Sequence, residues 1–140
     1  MIDPLQAATR VAGAGLEAQS VRLRIVSENL ANAHSTGATP GADPYRRRTV
    51  TFASEFDRLL GAATVDVRAI GHDEAPFAVT NDPGNPAADA NGNVKLPNVN
   101  MLIEMADLRE ASRSYEANLQ MVKQARSMTT MMLELMRNGR

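Results

Sequence analysis

Residues 98–136 contain neither Pro nor Gly, and the next glycine is Gly139. The pattern predicts one uninterrupted helix, which at ~1.5 Å per residue runs on the order of 55 Å. A small domain cannot cover a helix of that length with its own chain. Part of it must be left for other molecules. Its apolar stripe runs Met105, Leu108, Ala111, Tyr115, Leu119, Val122, Met132 and Met136, with Ala125 and Thr129 between, at helical spacing throughout. Glu104, Arg109, Glu110, Arg113, Glu116, Lys123 and Arg126 are expected on the other, solvated faces. Of the eight Met, all but Met1 lie here. Met is flexible and fills irregular gaps, so the stripe suits repacking against several neighbours, although core filling is its commoner use. Asn98 or Asn100 is expected to cap the helix. Over 127–138 the register of the stripe drifts, and no inward face stands out.

The beginning of the chain supplies a partner. Asp3-Pro4 reads as N-cap and first helical residue. Two rows follow at 3-4 spacing: Ile2, Thr9, Leu16, Leu23 and Leu30, then Leu5, Ala12, Gln19, Val26 and Ala33. Together they form an a/d seam more than four heptads long, interrupted mainly by Thr9 and Gln19. Gly13 and Gly15 each cost ~0.5–1 kcal/mol in a helix relative to Ala. They mark either a local bend or a close helix–helix approach. The helix is expected to stop near Asn32–His34, before Ser35-Thr36-Gly37 and a loop with Pro40, Gly41 and Pro44.

The middle changes character. Tyr45 to Phe52, Thr64 to Ile70, Phe77 to Thr80 and Val94 to Leu96 are strand candidates, and Ala53 to Leu60 reads as a short helical turn. Asp82-Pro83-Gly84-Asn85-Pro86 and Asp89-Ala90-Asn91-Gly92-Asn93 are strong turn signals. The predicted fold is therefore mainly α with a small β-rich insertion. Residues 1–34 and 98–140 pair as long antiparallel, coiled-coil-like helices, and 35–97 form a loop-rich β region between them.

Chemistry is sparse. There is no Cys, so thiolate metal sites and disulfides are impossible. A net charge of -1 gives no field for nucleic acid, and no apolar run is long enough to span a membrane. No basic-then-apolar leader opens the chain, so no cleavable signal is expected. His34 suits the end of a helix and His72 a turn, and neither has ligand partners nearby. Asp89, Asn91 and Asn93 alternate like a calcium loop. However, Gly92 stands one place early and the twelfth position is Asn100, not Glu. Arg46-Arg47-Arg48 reads as a charged edge strand that discourages aggregation. No cofactor motif is present, and no catalytic or metal constellation can be selected.

Ser27-Glu28-Asn29-Leu30-Ala31-Asn32-Ala33, at the end of the first helix, resembles the signature of flagellar rod, hook and hook-associated proteins. Asp82-Pro83-Gly84-Asn85-Pro86, Ala88 to Gly92, Leu96-Pro97-Asn98-Val99-Asn100, and Glu104-Met105 with Ala111 to Asn118 narrow the likeness to the proximal rod. The matching positions include Asn29, Leu30, Ala31, Asn32, Asn98, Asn100, Tyr115, Glu116 and Asn118. His34, Asn93 and the loop from Gly37 to Asp43 depart from the family pattern. The resemblance implies a non-enzymatic subunit without cofactors. It also implies partners: copies of itself, other rod proteins, the rod–export-gate adaptor and the flagellar type III export apparatus. The expected location is the periplasm-spanning rod of the basal body.

These readings converge on a structural rod subunit that polymerises through its terminal helices. A non-polymerising helical adaptor or export-chaperone-like module is the alternative, although it has no need of the β insertion. A periplasmic hydrolase would require a constellation that is missing. The residues expected to carry subunit and helix packing are Leu16, Leu23, Val26 and Leu30, then Leu108, Tyr115, Leu119, Val122, Met132 and Met136. Gly13 and Gly15 would allow close approach, and Asn29 and Asn32 would tie the first helix to the following loop through side-chain hydrogen bonds.

Overall fold

The computed structural model describes residues 4–139. The expected N-cap Asp3 and seam residue Ile2 lie outside these. Two long helices, α1 (Pro4–Ala31) and α2 (Met101–Asn138), flank four strands: β1 (Arg48–Asp57), β2 (Ala62–His72), β3 (Ala78–Asn81) and β4 (Asn93–Leu96). β1 and β2 form one two-stranded sheet, β3 and β4 another. The second is antiparallel, with Ala78 opposite Leu96 and Asn81 opposite Asn93. The fold is thus mainly α with a small β region between two helices packed on each other.

The helix ends follow from local chemistry. The α2 cap is Asn100, whose Oδ1 accepts from the N–H groups of Leu102 (3.0 Å) and Ile103 (3.3 Å). Asn98, the other candidate, is used elsewhere. At the end of α1, Asn32 turns its side chain back to the Glu28 carbonyl (2.8 Å), and the Asn32 carbonyl accepts from the Ser35 hydroxyl (2.9 Å). So Asn32 closes its own helix.

One expected element is absent. Ala53 to Leu60 does not form a helical turn, because β1 continues to Asp57 and a tight turn follows. β2, with Thr64, Val65 and Val67, is eleven residues long and needs a partner of matching length. Cross-strand pairing overrides the weak helical preference of the segment. Asp57 makes the turn: its Oδ1 accepts from the N–H groups of Leu59 (2.8 Å) and Leu60 (3.2 Å). Its carbonyl accepts from Gly61 N–H (2.9 Å), where φ is 63°. Glycine bears that positive φ without strain.

The chain divides into two compact units. The first comprises Met1–Arg22, Thr51–Ala69 and Glu110–Arg140. Its buried residues among those described are Ala12, Gly15, Ala18, Ala111 and Ala125. Gly15 lies against Asn118, and Arg22 pairs with Glu110 at 3.7 Å. These pairings run in opposite senses along the chain, so the helices are antiparallel. An interior of Ala and Gly lets two backbones approach closely, but it removes little apolar area from water. Gln19 interrupts the pattern, with its Oε1 buried and unpartnered among the described residues.

The second unit comprises Leu23–Val50 and Ile70–Arg109. It buries Ile25, Val26, Ala33, Ala87 and Val94, together with two polar side chains, Asn29 and Glu104. The loop with the calcium-like alternation belongs here. Asp89 Oδ1 accepts from the N–H groups of Asn91 (2.8 Å) and Asn93 (3.0 Å), so the alternation is turn chemistry.

The seam of α1 is rotated from its expected position. Ala12, Val26 and Ala33 do face inward. Their deep companions are Gly15, Ala18, Ile25 and Asn29, whereas Leu16, Leu23 and Leu30 are only half-buried. The smallest residues face the partner helix because they permit the closest approach, and the leucines straddle the contact. The two glycines differ for the same reason. A Cβ on Gly15 would stand 2.8 Å from the Asn118 amide, whereas one on Gly13 meets nothing within 4 Å among the described residues. Gly13→Ala is therefore expected to stabilise the chain by ~0.5–1 kcal/mol through helix propensity alone. Gly15→Ala forces Asn118 away from its 2.9 Å bond to the Ser114 carbonyl, which cancels that gain. Gly15→Leu should destabilise outright. Thermal melts of the three variants read the difference.

Candidate assembly surfaces and the polar clamp

The residues that organise the second unit meet where α1 ends and α2 begins. Asn29, fully buried, uses its whole amide. Its Oδ1 accepts from Arg48 N–H (2.9 Å) and from the Tyr45 hydroxyl (2.7 Å). Its Nδ2 donates to the Arg48 carbonyl (2.9 Å) and to Glu104 Oε2 (3.1 Å). One side chain thereby joins α1, the start of β1 and the first turn of α2.

Glu104 is the residue that the sequence reading misplaced. It was expected on a solvated face, yet it is 0% exposed. Its second oxygen, Oε1, accepts from Arg47 Nε at 2.5 Å, and Arg47 also faces Asp73 at 3.5 Å. Burial pulls the Arg47 pKa down, but the hydrogen bond and charge of Glu104, with Asp73 and Asp107, more than reverse this and leave it raised. A buried carboxylate requires such partners. The signal was present in the sequence: Glu104, Ala111, Asn118 and Ala125 stand seven apart, and these are inward positions of α2.

The Arg46-Arg47-Arg48 run is therefore no simple charged edge. Each arginine has its own anchor: Arg47 on Glu104, Arg48 on Glu28, and Arg46 over the Phe77 ring at 4.4 Å to the centroid. Arg46 Nη1 also donates to the Asp73 carbonyl at 3.1 Å. Asn98 Nδ2 donates to the Asp73 (2.9 Å) and Ala75 (3.0 Å) carbonyls, and Asn98 Oδ1 accepts from Arg47 N–H (2.7 Å). Asn98 is thus a clamp on the strand connections. Desolvation raises the Tyr45 pKa, and the charge of Glu28 adds to it.

Beside this clamp lies a shallow cleft of about 380 Å³, lined by Asp43, Arg46, Glu74, Phe77, Val79 and Lys95 among others. Asp43 and Lys95 pair across it at 2.7 Å, which holds the Asp43 carboxyl below its usual range. Arg46 and Glu74 pair loosely at 3.9 Å. Among the described residues no cluster of His, Asp or Glu is placed to hold a metal ion, and no helix is long and apolar enough to cross a membrane.

The other notable surfaces are apolar and uncovered. On α2, Leu108, Tyr115, Leu119 and Val122 are half-buried, while Met132 and Met136 are 51% and 61% exposed. Every described residue from 126 onward is exposed, including Met128, Met131, Leu133 and Leu135. No inward face exists there, which explains why the sequence showed none. Leu102 and Ile103 are exposed at the start of α2, and Phe56 and Leu59 at the β1–β2 turn. Ala31, Asn100 and Glu116 are exposed, and Asn32, Asn98 and Asn118 half-buried.

Comparison with known proteins matches residues 10–39 to the flagella basal body rod protein family and residues 90–135 to the flagellar basal body rod FlgEFG protein C-terminal family. The flagellar basal-body rod protein FlgC of Agrobacterium fabrum is 61% identical over 97% of this chain and 98% of its own length. FlgC of Salmonella typhimurium is 43% identical over 89% of this chain and 92% of its own. FlgC of Borreliella burgdorferi is 38% identical over 84% and 88%.

Proposed function

Because the chain belongs to the FlgC family of flagellar basal-body rod proteins, it is a structural subunit of the rod, and we propose that it assembles there through the helix faces its own fold leaves uncovered. The observation that carries this is the end of α2, where Met128, Met131, Met132, Leu135 and Met136 recur at helical spacing as one apolar stripe and, with Leu133, are all exposed. An apolar stripe on an amphipathic helix ordinarily faces a core, and none of the described residues covers this one, so other subunits are left to bury it. The half-buried Leu16, Leu23 and Leu30, with Leu108, Tyr115, Leu119 and Val122, extend the contact along the helix pair.

In this reading residues 1–34 and 98–140 form the helical axial core and 35–97 a β-rich, loop-rich insertion. The neighbours are copies of the same chain, other rod proteins and the rod–export-gate adaptor. The subunit reaches the periplasm-spanning rod through the flagellar type III apparatus. Its work is mechanical: it transmits torque and catalyses nothing. An adaptor that does not polymerise is not favoured by relatives that are rod subunits.

Leu135 is 74% exposed, so Leu135→Asp is expected to leave the isolated fold within ~0.5 kcal/mol of the parent. The same change puts a charge into the interface and should abolish rod assembly and swimming. Leu23→Asp is expected to abolish both as well. Full motility in both strains would refute assembly through these faces.

A further inference from the structure

Two features take no part in the helix packing. One is the β1–β2 turn, where Phe56 is 63% and Leu59 78% exposed. The turn is built rather than loose, since Asp57 holds it through three hydrogen bonds and Gly61 supplies the positive φ. A pre-ordered tip loses little freedom on docking. Between its two apolar side chains stands Arg58, exposed and without an ion pair among the described residues. The other feature is the cleft over β3 and β4. It is lined by Phe77, with Arg46 over one face of the ring, and by the exposed Val79, and its rim carries Glu74, whose side chain is 88% exposed and loosely paired with Arg46.

We propose that the β1–β2 tip of one copy seats in the β3–β4 cleft of the next copy, with Phe56 or Leu59 against Pro76, Phe77 and Val79 and Arg58 against Glu74. The inference rests on the rod-subunit reading. A helical array grows through heterologous contacts, in which one patch meets a different, complementary patch on the neighbour. The chain carries such a pair: a convex tip with two exposed apolar side chains and a cation unpaired among the described residues, and a concave site of mixed character, apolar at Pro76, Phe77 and Val79, with the loosely paired anion Glu74 at its rim. A cleft of about 380 Å³ is at the low end of ligand-sized cavities, ~300–1,000 Å³, and suits one or two side chains rather than a domain. The tip contact would tie neighbouring subunits outside the helix seams.

The chain contains no Cys, so paired substitutions report directly. A tagged copy with Leu59→Cys and an untagged copy with Val79→Cys are expressed in one strain, and its intact basal bodies are oxidised. A disulfide-linked product containing one tagged and one untagged copy is expected, and neither single-variant strain should give it. Arg58→Glu and Glu74→Arg should each reduce swimming, and the combination should restore it. Absence of the mixed product, a cross-link to a different rod component instead, or no restoration by the charge swap would overturn the tip–cleft contact. Leu135→Asp runs alongside. If it abolishes assembly while the cross-link is missing, the helix-face reading stands and only the tip–cleft contact falls. If assembly survives Leu135→Asp and Leu23→Asp, the underlying reading falls.

Discussion

Arg47→Ala is expected to destabilise the protein by ~3 kcal/mol or more, the range for stripping one partner from a buried ion pair. Glu104 is fully buried, and among the described residues Arg47 Nε is the one cation that touches it. Without the guanidinium, the carboxylate keeps, among the described residues, the Asn29 amide at 3.1 Å. The reverse change should be milder. In Glu104→Met the Arg47 side chain, already 25% exposed, retains Asp73 and reaches water. The double variant Arg47→Ala/Glu104→Met should recover a large part of the loss, because it removes the charge that was stranded. Urea denaturation of the four proteins closes the cycle and separates the interaction from the individual costs. Equal losses in the two single variants, with simple additivity in the double, would contradict this account of the site.

Asn29→Ala should cost on the order of 2–4 kcal/mol, because the buried Glu104 and several half-buried partners lose their bonds together, at ~1–3 kcal/mol for a buried group left unpaired. The Tyr45 hydroxyl and the Arg48 N–H both depend on Asn29 Oδ1. Asn29→Asp is the more telling variant. It preserves the shape and both acceptor contacts, but sets a second carboxylate against Glu104 Oε2 and the Arg48 carbonyl, where the amide had donated. Like charges at that distance raise the pKa of the new acid in the folded state. A raised folded pKa means stability that is present while the acid is protonated and lost as pH rises. The Asp variant should therefore fall further below the parent at neutral pH than near pH 4. A pH series of denaturation midpoints reads this directly.

The helices were legible in the sequence because their signals are local. Pro-free length, a capping Asn and a heptad of small and apolar residues required no knowledge of the fold. The inward face of α1 was harder to read. Leu16, Leu23 and Leu30 carry the stronger hydrophobic signal, yet Gly15, Ala18, Ile25 and Asn29 lie deeper. Which row turns inward depends on how closely the partner approaches, and that is a property of both helices. β1 was read two ways because residues 53–57 have little strand character of their own and take it from β2. Glu104 was misplaced because a lone acid in an apolar turn usually faces water. Its partner Arg47 is distant in sequence, inside a run that looked like surface charge. The exposed Met-rich end of α2 was anticipated, since no stretch of the chain was long enough to cover it.

The Ala- and Gly-lined interior of the first unit has a mechanical consequence. Contacts made by backbone and methyl groups contain almost no rotatable bonds. Under load, the innermost layer of such a pair of helices has few side chains that could swing to new positions and absorb a twist. The same economy that makes the free subunit inexpensive to pull apart would make it unyielding once neighbours hold the two helices together. Softness before assembly and stiffness after it then arise from a single choice, small residues at Ala12, Gly15, Ala18, Ala111 and Ala125.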